Sequence, residues 1–344
     1  MRSARTAIAL SIALSLGVLA AEETANAEEK YVLKLATVAP KGTPWAKVLL
    51  KFKKNVEKAS GGRVKVKTFL GGALGDEIST VKQAARGRIQ GVGASTGALA
   101  ALVSELDAVE IPFMFRNAKE ADYVLDKKLT EPMEKLFRDR GLVLGFWSEN
   151  GFRHFGSSKG KISAPSDLRG LKMRSQESFV HIEMWKALGA SVQAIPTTEV
   201  ITALKTGAVD GFDQALLYAI AAGWHKSVKH ITLSSHIYQP AAICFNKDWF
   251  DALPADLQKI VVDEGRKLTR SGRKAVRKLN PELESIISGS GVTVHKLTKS
   301  ERDAFEKKTK SVRKKFRKKQ GKKAAKILDL VEAGVKEYRA KAGK

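Results

Sequence analysis

Residues 31–40, YVLKLATVAP, alternate apolar and polar side chains and are rich in residues that favour strands. Residues 43–60, TPWAKVLLKFKKNVEKAS, carry apolar side chains at helical spacing, with Thr43 and Pro44 suited to the cap and first turn. A strand at 61–69, a helix at 75–89 and a strand-like piece at 90–96 follow. This βαβαβ order predicts an α/β fold with a mostly parallel sheet covered by helices on both faces.

A second cycle of the same kind begins near residue 141. It contains a strand at 170–176, a helix at 178–189, a strand at 190–196 and a helix at 197–212. Two α/β units joined by extended crossings predict a hinged receptor with a ligand cleft between two domains. Ligands of open α/β sheets bind beyond the carboxyl ends of the strands, and Arg174 lies at such an end.

The predicted domain boundaries follow from this order. The crossings are expected near residues 148–151 and near His236. The predicted segments are domain I at 28–150, domain II at 151–235, the return strand and spanning helices of domain I at 236–306, and a basic C-terminal helical segment at 307–344.

The N-terminus has the pattern of a secretory signal peptide. Arg2 and Arg5 precede an apolar stretch at 7–21, and Ala25-Asn26-Ala27 has the small residues of a cleavage site. The stretch is shorter than the roughly 20 apolar residues that a spanning helix needs, which disfavours a membrane anchor. We predict cleavage after Ala27 and a periplasmic location.

The chain has one cysteine, Cys244, inside an apolar run. It therefore cannot form an internal disulfide, and we predict that Cys244 is buried and that a packed core stabilises the protein.

The net charge is +25, and much of it is concentrated near the C-terminus, where residues 307–326 hold twelve Lys or Arg and no acid. Apolar residues at helical spacing predict an amphipathic helix with a turn at Gly321. A solvated helix face is the simpler interpretation, and contact with an acidic or membrane surface is the alternative. Nucleic acid is not an expected partner of an exported chain.

Motifs for catalysis or metal binding do not occur. The sequence has no G-x-S-x-G, H-E-x-x-H or Walker motif, and the glycines at 71, 72 and 75 do not match a phosphate-binding loop. The histidines at 225, 230 and 236 lack metal-ligand spacing. We therefore predict a binding protein without metal or cofactor, and not an enzyme.

Seven segments occur in the order seen in DctP-type solute-binding proteins of tripartite ATP-independent periplasmic (TRAP) transporters, and the chain resembles that family to about residue 321. They are LKLATVAPKGTPWAK at 33–47, FLGGALGDE at 69–77, VEIPFMF at 109–115, NGFRHFGSS at 150–158, DLRGLKMR at 167–174, TEVITALKTGAVDG at 198–211 and LPADLQKIV at 253–261.

The resemblance implies roles for two arginines. Arg174 matches the family arginine that makes a two-pronged salt bridge with the substrate carboxylate, which the fixed fork of a guanidinium suits. Arg153 matches a second arginine that supports the substrate, although an interdomain ion pair is the alternative.

The motif at 209–215 departs from the family. VDGFDQA replaces the usual VDGQENP, so Gln214 stands where an asparagine binds the carboxylate and Phe212 stands where the family has glutamine. Thr197 replaces an aromatic residue that often packs on the ligand. These changes leave carboxylate binding plausible and put the usual dicarboxylates and sugar acids in doubt.

Thr43, Trp45 and Glu77 occupy positions where the family contacts ligand or water. Thr43 also suits a helix cap, and Glu77 suits a first-turn acid. Aromatic residues near these motifs predict an organic acid with an apolar or aromatic body, although the same residues also suit the core. They are Phe146, Trp147, Phe152, Phe212 and Tyr218.

The resemblance implies a two-domain periplasmic-binding-protein-like fold, with a ligand cleft between the domains and helices that span both. It also implies the partners, which are one small and one large integral membrane subunit driven by an ion gradient. The alternatives are the receptor of an ATP-dependent importer, a ligand-sensing exported protein and, least favoured, an exported enzyme.

Overall fold

The structure is a computed structural model that describes residues 31–343. The predicted signal peptide, residues 1–27, lies outside the described residues. No helix within the described part is both long and apolar enough to cross a membrane.

Strands form one mixed sheet. The strands are β1 (Tyr31–Thr37), β2 (Val64–Phe69), β3 (Gly91–Ser95), β4 (Leu142–Ser157), β5 (Lys172–Ser175), β6 (Ser191–Ala194), β7 (Gly211–Ala215), β8 (His230–Asn246) and β9 (Thr293–Lys296). Their order is β2-β1-β3-β8-β4-β7-β5-β6, with β9 paired to β8. Pairing is parallel towards both ends of the sheet and antiparallel where β4 and β8 cross its centre.

Helices cover this sheet. They are α1 (Pro44–Ala59), α2 (Glu77–Ala85), α3 (Thr96–Leu99), α4 (Ala118–Val124), α5 (Thr130–Arg138), α6 (Phe179–Leu188), α7 (Val200–Lys205), α8 (Leu216–Ala221), α9 (Lys247–Asp251), α10 (Ala255–Gly289), α11 (Lys299–Lys319) and α12 (Gly321–Ala342). The predicted α/β class is confirmed. The predicted helix at 197–212 is instead a 3-10 turn, the short α7 and the start of β7, because Gly207 leaves the helical region at φ +70°.

The two longest strands join the halves of the molecule. β4 and β8 pair along their length, and their register shifts between Glu149 and Gly151 and again between Arg153 and Phe155. Cys244 lies in this central pair, opposite Val92 of β3 and Leu144 of β4, and is fully buried. Burial in an apolar core raises the pKa of its thiol.

The C-terminal helices pack on both halves. α10 contacts α1 and β4 on one side and α8 and β9 on the other. α11 packs on α6, whereas α12 packs on α4. Gly321, at φ +85°, forms the junction between α11 and α12, as the sequence predicted.

Candidate functional site

A cleft lies beyond the carboxyl ends of the strands of both halves. Its empty space amounts to about 620 Å³, which includes the open solvent at its mouth. Its walls include apolar side chains (Val38, Trp45, Leu49, Tyr218, Ile243) and polar ones (Glu77, Ser95, Asn150, Gln176, Thr197, Gln214, Gln239).

Arg174 lies in a small cavity that adjoins the cleft and shares Glu77, Gln176 and Thr197 with it. It is at the carboxyl end of β5 and only 1% exposed. Its Nε donates to Ile195 O at 2.9 Å, and Nη2 lies 3.4 Å from Thr197 Oγ1. Nη1 has no hydrogen-bond partner among the described residues, and no carboxylate lies within salt-bridge distance there.

The Arg174 guanidinium also lies over the ring of Trp224, with 5.3 Å between its carbon and the ring centroid. Burial, reinforced by the nearby charge of Arg153, lowers the pKa of Arg174 to about 10. The group nevertheless stays protonated at neutral pH. It is therefore a desolvated cation whose strongest protein contacts are neutral, which suits a binding site for an anion.

Arg153 is buried and fully engaged by the protein. Its Nε bonds Asp213 Oδ2 at 2.5 Å, and Nη1 donates to the side-chain oxygens of Gln214 at 3.1 Å and Gln239 at 2.8 Å. Nη2 donates to the carbonyl of Asp213. Because each nitrogen has a protein acceptor, Arg153 is placed to orient the two glutamines from below the cleft.

Gln214 lines the cleft, but Phe212 does not. The Gln214 oxygen accepts from Arg153 and from the backbone of Ala215 at 2.8 Å, while its amide nitrogen has no partner among the described residues. A donor is thus left at the cleft wall. Phe212 is 1% exposed and packs edge-on against Trp224, with ring centroids 5.3 Å apart.

Glu77 lies at the first turn of α2 and faces both the cleft and the Arg174 cavity. Its Oε1 accepts from the backbone of Ser95 at 2.9 Å, and its Oε2 accepts from the hydroxyl of Ser95 at 3.1 Å. Burial raises the pKa of Glu77. This site therefore holds a carboxylate as well as a guanidinium.

The remaining predicted residues differ in their placement. Trp45 lines the cleft, contacts the ring of Tyr218 and donates its indole N–H to Glu149 O at 2.7 Å. Thr197 lines it as well. Thr43 is the N-cap of α1, with its hydroxyl bonded to Pro40 O at 2.7 Å, and is not among the lining residues.

Three amide side chains were not predicted as lining residues. Gln239 Nε2 donates to Gln176 Oε1 at 2.8 Å, and Gln176 Nε2 donates to Ser95 Oγ at 2.7 Å. Asn150 Nδ2 donates to Gln239 Oε1 at 3.1 Å. Gln176 follows Arg174 by two residues, so the period of a strand could have placed it on the same face.

The predicted aromatic residues lie mostly away from the cleft. Phe146 and Trp147 border a separate groove beside α10, and Phe152 packs against Tyr238. Tyr218 is the member of that set that lines the cleft.

Ionisable groups are packed in the floor behind the cleft. His181 bonds Glu110 at 2.6 Å, and His236 lies 3.3 Å from Asp213. Arg153 and the two histidines hold the pKa of Asp213 well below its usual range despite burial. Burial lowers the pKa of His236 to about 4. No group of three or more potential ligands is placed to hold a metal ion within residues 31–343.

Comparisons with known proteins identify the family. Residues 35–320 match DctP, the bacterial extracellular solute-binding protein, family 7. A solute-binding protein of Verminephrobacter eiseniae is 37% identical over 243 residues, which are 71% of this chain and 72% of that one.

Two solved structures extend the likeness to the whole architecture. The sugar acid binding protein DctPAm of Advenella mimigardefordensis, in complex with galactonate, has a TM-score of 0.84 at 29% identity, covering 89% of this chain and 99% of that chain. A TRAP periplasmic solute-binding protein of Sulfurospirillum deleyianum with bound succinate has a TM-score of 0.82 at 26% identity, covering 89% and 99%. The predicted two-domain binding-protein fold is confirmed, and the chain belongs to the DctP family of TRAP solute-binding proteins.

Proposed function

We propose that this chain captures an organic acid in its cleft by a carboxylate bound to Arg174. The observation that carries the proposal is the buried guanidinium, whose Nη1 has no hydrogen-bond partner and which contacts no carboxylate within residues 31–343. Arg153 supports the site indirectly, because it orients Gln214 so that the amide N–H faces the cleft. The galactonate and succinate bound by the two structural relatives are both carboxylates.

The ligand is captured by closure of two domains. The proposed boundaries are 28–150 and 236–306 for domain I and 151–235 for domain II, with the crossing near residues 148–151. The register shift of β4 against β8 between Glu149 and Gly151 supports a hinge there, because an irregular ladder bends more readily than a regular one. Closure removes water around Arg174 and strengthens its pairing with a carboxylate.

The body of the ligand lies against an apolar wall. Trp45, Val38, Leu49 and Tyr218 form one side of the cleft. This wall supports an acid with an apolar or aromatic body, whereas Thr197 leaves room where the family has an aromatic residue.

The loaded receptor delivers its ligand to the small and large membrane subunits of a TRAP transporter and acts without catalysis. We place it in the periplasm after cleavage at Ala27. The basic segment at 307–344 supports a further contact with an anionic membrane surface, since nine exposed lysines there have no salt-bridge partner among the described residues. They are Lys307, Lys308, Lys310, Lys314, Lys318, Lys319, Lys322, Lys323 and Lys326. Each is worth about 1 kcal/mol near such a surface.

The test is a thermal-shift screen of residues 28–344 against an organic-acid library that includes galactonate and succinate. A ligand that binds the folded state raises the melting temperature. We expect Arg174→Ala to lose the shift produced by any acid that binds the wild type. Arg169→Ala is the matched control, because Arg169 is an exposed arginine five residues earlier. Equal responses of the two variants would contradict the proposal.

A further inference from the structure

Arg174 and Glu77 face the same space, and neither makes a salt bridge with another of the described residues. Both border the small cavity that adjoins the cleft. The two hydrogen bonds that Glu77 receives come from the neutral Ser95. A molecule bound there therefore meets a buried guanidinium and a partly buried carboxyl group.

Other buried charges near the cleft are already compensated. Arg153 pairs with Asp213, and His181 lies against Glu110. Asp76 and Glu177 also border the Arg174 cavity, but they share an outer groove with Lys82, Arg86 and Arg88. Of the three carboxyl groups that border the Arg174 cavity among the described residues, Glu77 is the one that also lines the cleft, so Arg174 and Glu77 are the charges best placed for a bound molecule.

Aromatic rings stand on the cleft side of Glu77. Trp45 and Tyr218 line the cleft that Glu77 also borders, and their ring centroids are 6.2 Å apart. Aromatic faces attract cations, and a carboxylate beside two rings suits an ammonium group.

We infer that the ligand of this cleft is a zwitterion, with a carboxylate for Arg174 and an ammonium group for Glu77. The inference rests on the proposed function and narrows it. A second carboxylate on the ligand would be placed against Glu77 in a desolvated site, where like charges repel strongly. An acid without a second polar group would cover the Glu77 carboxyl group without offering it a partner beyond Ser95, which also costs affinity.

The experiment compares acids of one length that differ at a single end. Calorimetry of residues 28–344 is run with 4-aminobutanoate, 4-hydroxybutanoate, butanoate and succinate, and with phenylalanine and 3-phenylpropanoate for a larger body. Galactonate serves as a further acid without nitrogen. We expect the amino compound of at least one set to bind about tenfold or more tightly than its nitrogen-free counterparts, as one charge-assisted contact provides.

The variant Glu77→Gln should bring the affinity for the amino compound to within about twofold of the affinity for its nitrogen-free counterparts, because the amide keeps the shape of the carboxylate and removes its charge. Glu199→Gln is the matched control, since this exposed carboxylate lines neither the cleft nor the Arg174 cavity, and it should keep the preference. Thermal unfolding without ligand verifies that both variants fold.

The outcomes separate the two proposals. If galactonate, succinate or another nitrogen-free acid binds as tightly as any amino compound, the zwitterion is ruled out and the acid receptor stands. If Glu77→Gln and Glu199→Gln reduce the preference equally, Glu77 is not its source and the inference fails. Absence of binding by every compound counts against both proposals.

Discussion

The surroundings of Arg153 and Arg174 differ although both arginines are buried at the cleft. Arg153 has a carboxylate, two glutamine oxygens and a carbonyl as acceptors. Arg174 has one carbonyl, one distant hydroxyl and an aromatic face. A guanidinium whose nitrogens all have protein acceptors stabilises the fold, whereas one with a nitrogen left without an acceptor is available to a ligand. We therefore expect stability to depend on Arg153 and ligand affinity to depend on Arg174.

The largest effect is expected for Arg153→Met. Removing this cation leaves the buried Asp213 carboxylate with only His181 and His236 beside it and frees two glutamine oxygens, so we expect a loss of about 3–5 kcal/mol in the free energy of unfolding. Urea denaturation measures it. The double variant Arg153→Met, Asp213→Leu should recover part of the loss, and a loss in the single variant below about 1 kcal/mol would remove the distinction between the arginines.

The cluster around Arg153 should also make stability depend on pH through His236. Its pKa is about 4 in the folded protein and about 6.5 in an unfolded chain, so the unfolded state binds more protons between these values. The free energy of unfolding should therefore fall as pH drops from 6.5 towards 4, with a contribution from His236 of about 3 kcal/mol. Comparing the pH dependence of the wild type with that of His236→Asn isolates this contribution. If the free energy of unfolding depends on pH in the same way in both proteins, His236 does not titrate as described.

Trp224, whose ring lies against the Arg174 guanidinium, provides a test with a smaller expected effect. Trp224→Leu removes the aromatic face and lets the guanidinium tilt, so we expect acids that bind the wild type to lose about tenfold in affinity. Trp224→Phe should lose less, because a weaker aromatic face remains. Calorimetry is the measurement, and Trp185→Phe, a buried tryptophan in another core cluster, is the control. An effect of Trp185→Phe equal to that of Trp224→Phe would assign the loss to general packing.

The smallest effect is expected on the stability of Arg174→Met without ligand. Since no anion pairs with Arg174 among the described residues, loss of its weak contacts is offset by removal of a desolvated charge, and the free energy of unfolding should change by about 1 kcal/mol or less. The same urea experiment gives the value. A loss as large as that of Arg153→Met would mean that Arg174 is a structural residue.

The sequence predicted the two α/β cycles, the position of Arg174 at a strand end and the break at Gly321, because these depend on local periodicity and on turn residues. It did not predict the cleft surface fully. Phe212 lies in the core because Trp224, twelve residues later, covers it. Gln239 enters the cleft through the register of β8 against β4, which contains shifts that no local pattern specifies.

The position of Cys244 gives this receptor an internal reporter. Its thiol lies in the main hydrophobic core rather than at the cleft, so the proposed opening of the domains would leave it covered. We expect a thiol reagent to reach it only when this core unfolds. The rate at which a thiol reagent labels Cys244 in the unmodified chain would therefore report global unfolding, and not the opening and closing that accompany ligand exchange.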